Sequence, residues 1–269
     1  VKFARASSQL RAGELRFHRD LTPAQVLETL LHAPRVLHKM TVPEGLTAKE
    51  IAKIVGDSGL GNAEEFLRLT EDAEFAKSVG VSAPRLEGYL FPDTYEFEKG
   101  AGAKLIATTM VKHFQAVWTP ELAAKAKALG MDTTAKAVTL ASIVEKETGA
   151  AEERPMIAGV FYNRLRKGMR LESDPTIIYG MKDYDGNIRK GDIHDPSNVY
   201  NTYVIKGLPP GPIANPGAES LKAIADPKMH DYLFFVATGE GRHVFAATLK
   251  EHEANVDRYQ RHRVSAKKG

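Results

Sequence analysis

The pattern of apolar and polar positions divides the chain into short elements over its first 80 residues and longer helices after them. Val26, Leu27, Leu30 and Leu31 recur at helical spacing behind Thr22-Pro23, which predicts an amphipathic helix with a Thr cap and Pro in its first turn. Val36 to Val42 reads as a strand stopped by Pro43-Glu44-Gly45. Thr47 with Glu50 three positions on is a capping-box signal for a helix carrying Ile51, Ile54 and Val55. Asn62 opens another helix, with Phe66 and Leu67 inward. Ahead of these, Lys2 to Leu10 and Glu14 to Phe17 read as short strands around the Arg11-Ala12-Gly13 turn. Pro84 to Phe97 reads as a loop-rich hinge holding Tyr89, Phe91, Tyr95 and Phe97, so the domain boundary is expected between 80 and 81.

Beyond the hinge, helices are expected over 103–117 and 120–129. Asp132 or Thr133 opens a further helix through Thr148, and its interior, Ala137 to Val144, is apolar nearly all round and therefore buried. Its last turn is nonetheless Glu145-Lys146-Glu147. Glu152-Glu153-Arg154-Pro155 starts the next helix, which runs to Gly168. Met169 to Glu172 looks strand-like, Ser173-Asp174-Pro175 caps a short turn, and Asp183 to Pro216 is a long, proline-rich irregular stretch whose Tyr and Asn content points to order. The fold class is α+β.

Composition narrows the function. Of 269 residues, 43% are hydrophobic and 26% charged, enough chain to bury a real core. Lys plus Arg number 37 and Asp plus Glu 34, too even a balance for a dedicated nucleic-acid surface. The absence of cysteine removes disulfides, thiolate metal sites and Cys nucleophiles together. The His residues show no metal-ligand spacing, and there is no P-loop, dinucleotide fingerprint or Gly-x-Ser-x-Gly elbow, so neither metal nor cofactor is expected. No apolar run is long enough to span a bilayer, and the chain opens at Val1 without a charged-then-apolar leader, as a mature form or a trimmed piece would.

The carboxylates are the candidate chemistry. Glu145 and Glu147 project about 200° apart on a helix and cannot face one another. Small residues, Ser142 and Ala141, lie beneath Glu145 and leave room for a ligand, whereas Val144 and Ile143 beneath Glu147 suggest packing. Glu145 is thus the candidate acid, with two solvated acids at a helix end as the plain alternative.

Several motifs then converge. Leu86-Glu87-Gly88-Tyr89-Leu90-Phe91-Pro92-Asp93-Thr94-Tyr95, Ala141-Ser142-Ile143-Val144-Glu145-Lys146-Glu147-Thr148, Asn163-Arg164-Leu165, Ser173-Asp174-Pro175-Thr176, Tyr200-Asn201-Thr202-Tyr203 and Gly207-Leu208-Pro209-Pro210-Gly211-Pro212 occur in this order. The series resembles the YceG-like family of endolytic murein transglycosylases. The resemblance implies a LysM-like module over 1–80 and a catalytic domain over 81–269, held by an upstream helix to the inner membrane and facing the periplasm. It implies peptidoglycan strands as substrate, penicillin-binding synthases as partners and termination of nascent strands as the role, without cofactor. It places the catalytic acid at Glu145, which would protonate the bridging oxygen and then accept the proton of the muramic 6-hydroxyl, leaving a 1,6-anhydro end. Asn163, Ser173, Asp174, Asn201 and Tyr203 are the candidates for holding N-acetyl and hydroxyl groups. Two rivals stand beside this reading. One is a muramidase-type hydrolase with Glu145 as acid and Asp174 as base, and the other a non-catalytic peptidoglycan-binding scaffold.

Overall fold

A computed structural model describes residues 13–261. Capping chemistry sets the early helices. Thr22 and Gln25 form a reciprocal capping box at the start of α1 (Pro23–His32), and Thr47 and Glu50 form another at α2 (Ala48–Asp57). Asn62 caps α3 (Ala63–Thr70) and Asp72 caps α4 (Ala73–Ser78), each accepting backbone N–H groups of the first turn.

Strand β1 (Leu37–Thr41) lies where the pattern puts it, but its partner is unexpected. It pairs antiparallel with β2 (Thr94–Glu98), Leu37 opposite Glu98 and Thr41 opposite Thr94. The second half of the expected hinge is therefore a strand, with Tyr95 and Phe97 buried and Thr94, Glu96 and Glu98 outward. Helix α3 packs on α2 and on α5 (Ala103–Val117), burying Ile51, Val55, Phe66, Ile106 and Met110 completely. One apolar core runs from Met40 and Ile51 through Leu86, Leu90 and Val138 to Phe161 and Leu221, so both the core and the β1–β2 pair cross position 80.

After α6 (Pro120–Ala128), the central element is α7 (Thr134–Glu147), capped by Thr133, with every residue from Ala137 to Glu145 buried. It is packed by α8 (Arg154–Arg166) and α11 (Ala218–Ala225); α9 (Asp174–Gly180) touches it and α10 (Lys190–Ile193) sits in the long loop. The chain then forms a hairpin of β3 (Phe234–Ala237) and β4 (His243–Ala246), against which α12 (Leu249–Val256) packs. Two expected strands differ. Glu14 to Phe17 is irregular, and Lys2 to Leu10 lies outside the described residues. Met169 to Glu172 joins no sheet, because the Arg164 guanidinium takes the carbonyls of Arg170 and Leu171 at 3.1 and 3.0 Å.

Buried polar groups fasten the loops to this frame. Asn215 Oδ1 accepts the N–H groups of Gly88 and Leu90, while its Nδ2 donates to Leu46 O and Glu87 Oε1. Gly88 has φ +89°, and a Cβ there would meet Pro212 at 2.6 Å and Val138 at 2.7 Å, so only glycine lets these segments close. Glu87, itself buried, also accepts from Ala48 N and from the Tyr179 hydroxyl. Burial outweighs these donors and pushes its pKa from 4.5 up to about 7.

The fold therefore holds the Glu87 proton more tightly than the unfolded chain does. That stabilisation is fully present below about pH 4.5 and lost as the pH rises through about 7. The loss is on the order of 3 kcal/mol. Urea unfolding at about pH 5 and about pH 8 should show a steeper fall for the wild type than for Glu87→Gln. Parallel pH profiles for the two proteins would contradict this.

Candidate active site

The last turn of α7 carries two carboxylates to opposite sides of the helix, as their spacing requires. Glu145 turns into the protein, with 4% of its side chain exposed. Its Oε1 receives Arg154 Nη2 at 2.8 Å, and its Oε2 receives Gly217 N at 3.0 Å and Ser220 Oγ at 2.8 Å, both from the start of α11. Arg154 Nη2 also reaches Glu44 Oε2 at 3.1 Å, and neighbouring Lys146 Nζ donates to Gly45 O. The loop after β1, the end of α7 and the starts of α8 and α11 thus meet on one buried ion pair. Beneath Glu145, where small neighbours are expected to leave room for a ligand, the Ser142 hydroxyl accepts Ile213 N at 3.0 Å.

Glu147 faces the other way, into a cavity of about 490 Å³ that it shares with Arg164, Glu172, Asp174, Tyr203 and His243. Leu171, Phe235 and Val236 supply apolar wall. The Ser173 hydroxyl donates to Glu147 Oε1. Burial pushes the Glu147 carboxyl up to about 7; the Ser173 donor opposes this, the Asp174 carboxylate adds to it, and the Arg164 cation opposes it. Glu147 can therefore hold or release a proton near neutrality, beside an open space. Asp174 Oδ1 accepts the Tyr203 hydroxyl at 2.7 Å, and burial keeps that phenol protonated as a donor. Glu172 sits at φ +53°, the one non-glycine residue at positive φ among those described, with Oε2 held by Arg164 Nη1 at 3.0 Å. Strained backbone of this kind collects at functional sites.

Three of the five expected substrate-contacting residues gather here. Asp174 and Tyr203 line the cavity, and Ser173 orients its carboxyl. Asn163 does not join them. Its Nδ2 donates to His230 O at 2.7 Å and Tyr232 O at 2.9 Å, pinning the approach to β3 beside a separate space of about 150 Å³. Asn201 is fully buried, donating to the carbonyls of Asp192, Ile193 and Asp195, so it holds the long loop in shape. Of the remaining lining residues, Glu147 is the one whose sequence neighbours suggest packing, and Arg164, Glu172 and His243 are not among the expected site residues. Among the described residues no cluster of three or more His, Asp or Glu side chains could hold a metal, and no helix is long and apolar enough to cross a membrane.

Fold and cavity together define a mainly helical α+β protein with a carboxyl group opening onto a polar cavity. The match of residues 1–258 to the YceG-like family model shows that the chain belongs to the YceG-like family. It is 32% identical over 276 residues to the endolytic murein transglycosylase of Bacillus subtilis (strain 168), covering 96% of this chain and 75% of that protein. It is 31% identical over 281 residues to the protein of the same name from Streptococcus pneumoniae serotype 2, covering 93% of this chain but 50% of that longer relative. A crystal structure of a YceG-like protein from Listeria monocytogenes superposes with a TM-score of 0.73 at 32% identity, over 94% of this chain and 86% of that one.

Proposed function

We propose that this chain is a peptidoglycan lytic transglycosylase that cuts the β-1,4 bond between N-acetylmuramic acid and N-acetylglucosamine within glycan strands, without water, leaving 1,6-anhydro ends. The relatives' names support the reaction class. One observation carries the assignment: the Glu147 carboxyl, held by the Ser173 hydroxyl, opens onto a cavity that it shares with Arg164, Asp174 and Tyr203, and desolvation there favours its protonated form. Breaking the bond needs a proton on the leaving oxygen, and a carboxylic acid still protonated near neutral pH supplies it. The role expected for Glu145 therefore passes in this proposal to Glu147, because the oxygens of Glu145 are engaged by Arg154, Gly217 and Ser220. Tyr203 and Asp174 offer a donor and an acceptor for sugar hydroxyls.

In the same reading, residues 1–80 form a LysM-like part that positions glycan, and 81–269 carry the bond-breaking groups. The chain works on the periplasmic side of the inner membrane, anchored upstream, where it ends strands made by penicillin-binding synthases. The hydrolytic rival keeps one specific support, since Asp174 lines the cavity of Glu147 and a second carboxylate is what an inverting or retaining hydrolase needs. Digestion of purified glycan strands followed by mass spectrometry separates the two. Ends lighter by one water than the hydrolytic product are expected, and reducing ends alone would establish the hydrolase.

A further inference from the structure

A second cleft, of about 750 Å³, lies between α2 and the C-terminal end of α9. Leu67, Ile178 and Tyr184 give it an apolar wall, and Lys49, Lys53, Arg85 and Lys182, all exposed, stand around it. Lys49 and Lys53 are one turn apart on α2, a like-charge spacing that weakens a helix. Lys49 also falls in the first turn, where the helix dipole disfavours a cation. Among the described residues none of the four cations makes a side-chain hydrogen bond or an ion pair. The acids of the cleft turn elsewhere. Glu50 accepts Thr47 N at 2.8 Å, and Glu87 accepts Ala48 N and the Tyr179 hydroxyl, which leaves Glu71 to offset four cations. The fold gains nothing from crowding unpaired positive charge in this way, whereas an anionic ligand would.

This cleft and the Glu147 cavity share one face of α9. Asp174 lines the cavity and Ile178 lines the cleft, at i and i+4, a rise of about 6 Å along the helix. Resting on the transglycosylase reading, we propose that the cleft holds the acidic peptide carried by muramic acid while the sugar chain lies against Glu147. Carboxylates of the peptide meet Lys49, Lys53, Arg85 and Lys182, and its aliphatic groups lie on Leu67, Ile178 and Tyr184. The volume is that of a pocket for a ligand the size of a short peptide. A phosphate polymer would leave the apolar wall unused, and a bare glycan would leave the four cations unpaired. Because Lys49 and Lys53 belong to the first 80 residues and Lys182 to the later part, one bound peptide bridges both. The enzyme then prefers strands that still bear their peptides.

The test compares peptide-bearing glycan strands with strands stripped of peptide by an amidase, reading equilibrium binding of labelled strands and kcat/KM for cleavage. Wild type is set beside Lys49→Gln/Lys53→Gln and a control of equal charge change, Lys104→Gln/Lys112→Gln, on α5 and outside the cleft. Wild type should bind peptide-bearing strands about tenfold more tightly than stripped ones, and the cleft pair should lose most of that ratio. Added salt should shrink the preference, and the control pair should keep it. Relief of the Lys49–Lys53 repulsion should leave the urea midpoint of the cleft pair at or above that of wild type. Arg85→Gln/Lys182→Gln, on separate segments, should show the same loss and decides the matter if the first pair does not fold. Equal weakening on stripped and peptide-bearing strands would assign the cleft to sugar and overturn the proposal. So would an equal loss in the control pair, or a wild type without preference. Failure to cut either kind of strand, or reducing ends alone, would instead remove the transglycosylase reading, while the binding ratio would still test the cleft.

Discussion

Glu147→Gln is expected to reduce glycan cleavage by roughly 1,000-fold while leaving the protein folded, within the range that loss of a general acid produces. The substitution keeps the shape of the side chain and its acceptor for the Ser173 hydroxyl but removes the transferable proton. Wild-type activity should carry the same signature in its pH profile. Only the protonated carboxyl can donate, so kcat/KM should hold below about 7 and fall as the pH rises through it. Ser173 donates to the ionised form and holds the value down, so Ser173→Ala should move this limb to higher pH. Steady-state cleavage of soluble glycan strands across the pH range measures both effects. A Glu147→Gln protein that cuts at the wild-type rate would remove Glu147 from the chemistry.

Much of the helical frame was legible because its signals are local. The Thr22–Gln25 and Thr47–Glu50 boxes, the Thr133 cap and the apolar interior of α7 each announce a helix within one or two turns of sequence. β2 was not legible, because what makes Thr94 to Glu98 a strand is a partner more than 50 residues upstream. The same limit governed the site. Periodicity correctly set Glu145 and Glu147 on opposite faces, but which face met a cavity depended on distant residues. Ser220 and Arg154 closed over one, while Ser173 and Tyr203 framed the other. The small residues beneath Glu145 made room for a loop carrying Ile213 rather than for a ligand. Asn163 and Asn201 had the chemistry to bind sugar, yet unsatisfied backbone carbonyls of nearby irregular segments claimed both.

Glu145→Gln is expected to act on stability rather than on the chemical step. Arg154 is 7% exposed, and in the variant its guanidinium would keep only Glu44, whose side chain is 45% exposed. The new amide also has to turn an NH₂ group toward Arg154 on one side or toward Gly217 N and Ser220 on the other, so a donor faces a donor. Removing one partner of a buried pair costs about 3–5 kcal/mol, chiefly because the remaining charge stays desolvated. Urea unfolding should show that loss as a lower midpoint with an unchanged slope. Adding Arg154→Met removes the stranded charge, so the double variant should be more stable than the sum of the two single losses implies. Cleavage by Glu145→Gln, measured well below its melting temperature, should remain within about tenfold of wild type, since an acid–base role would cost 10²-fold or more. If instead the variant is as stable as wild type and cannot cut glycan, the acid is Glu145, and the Arg154 contact is one the substrate must displace.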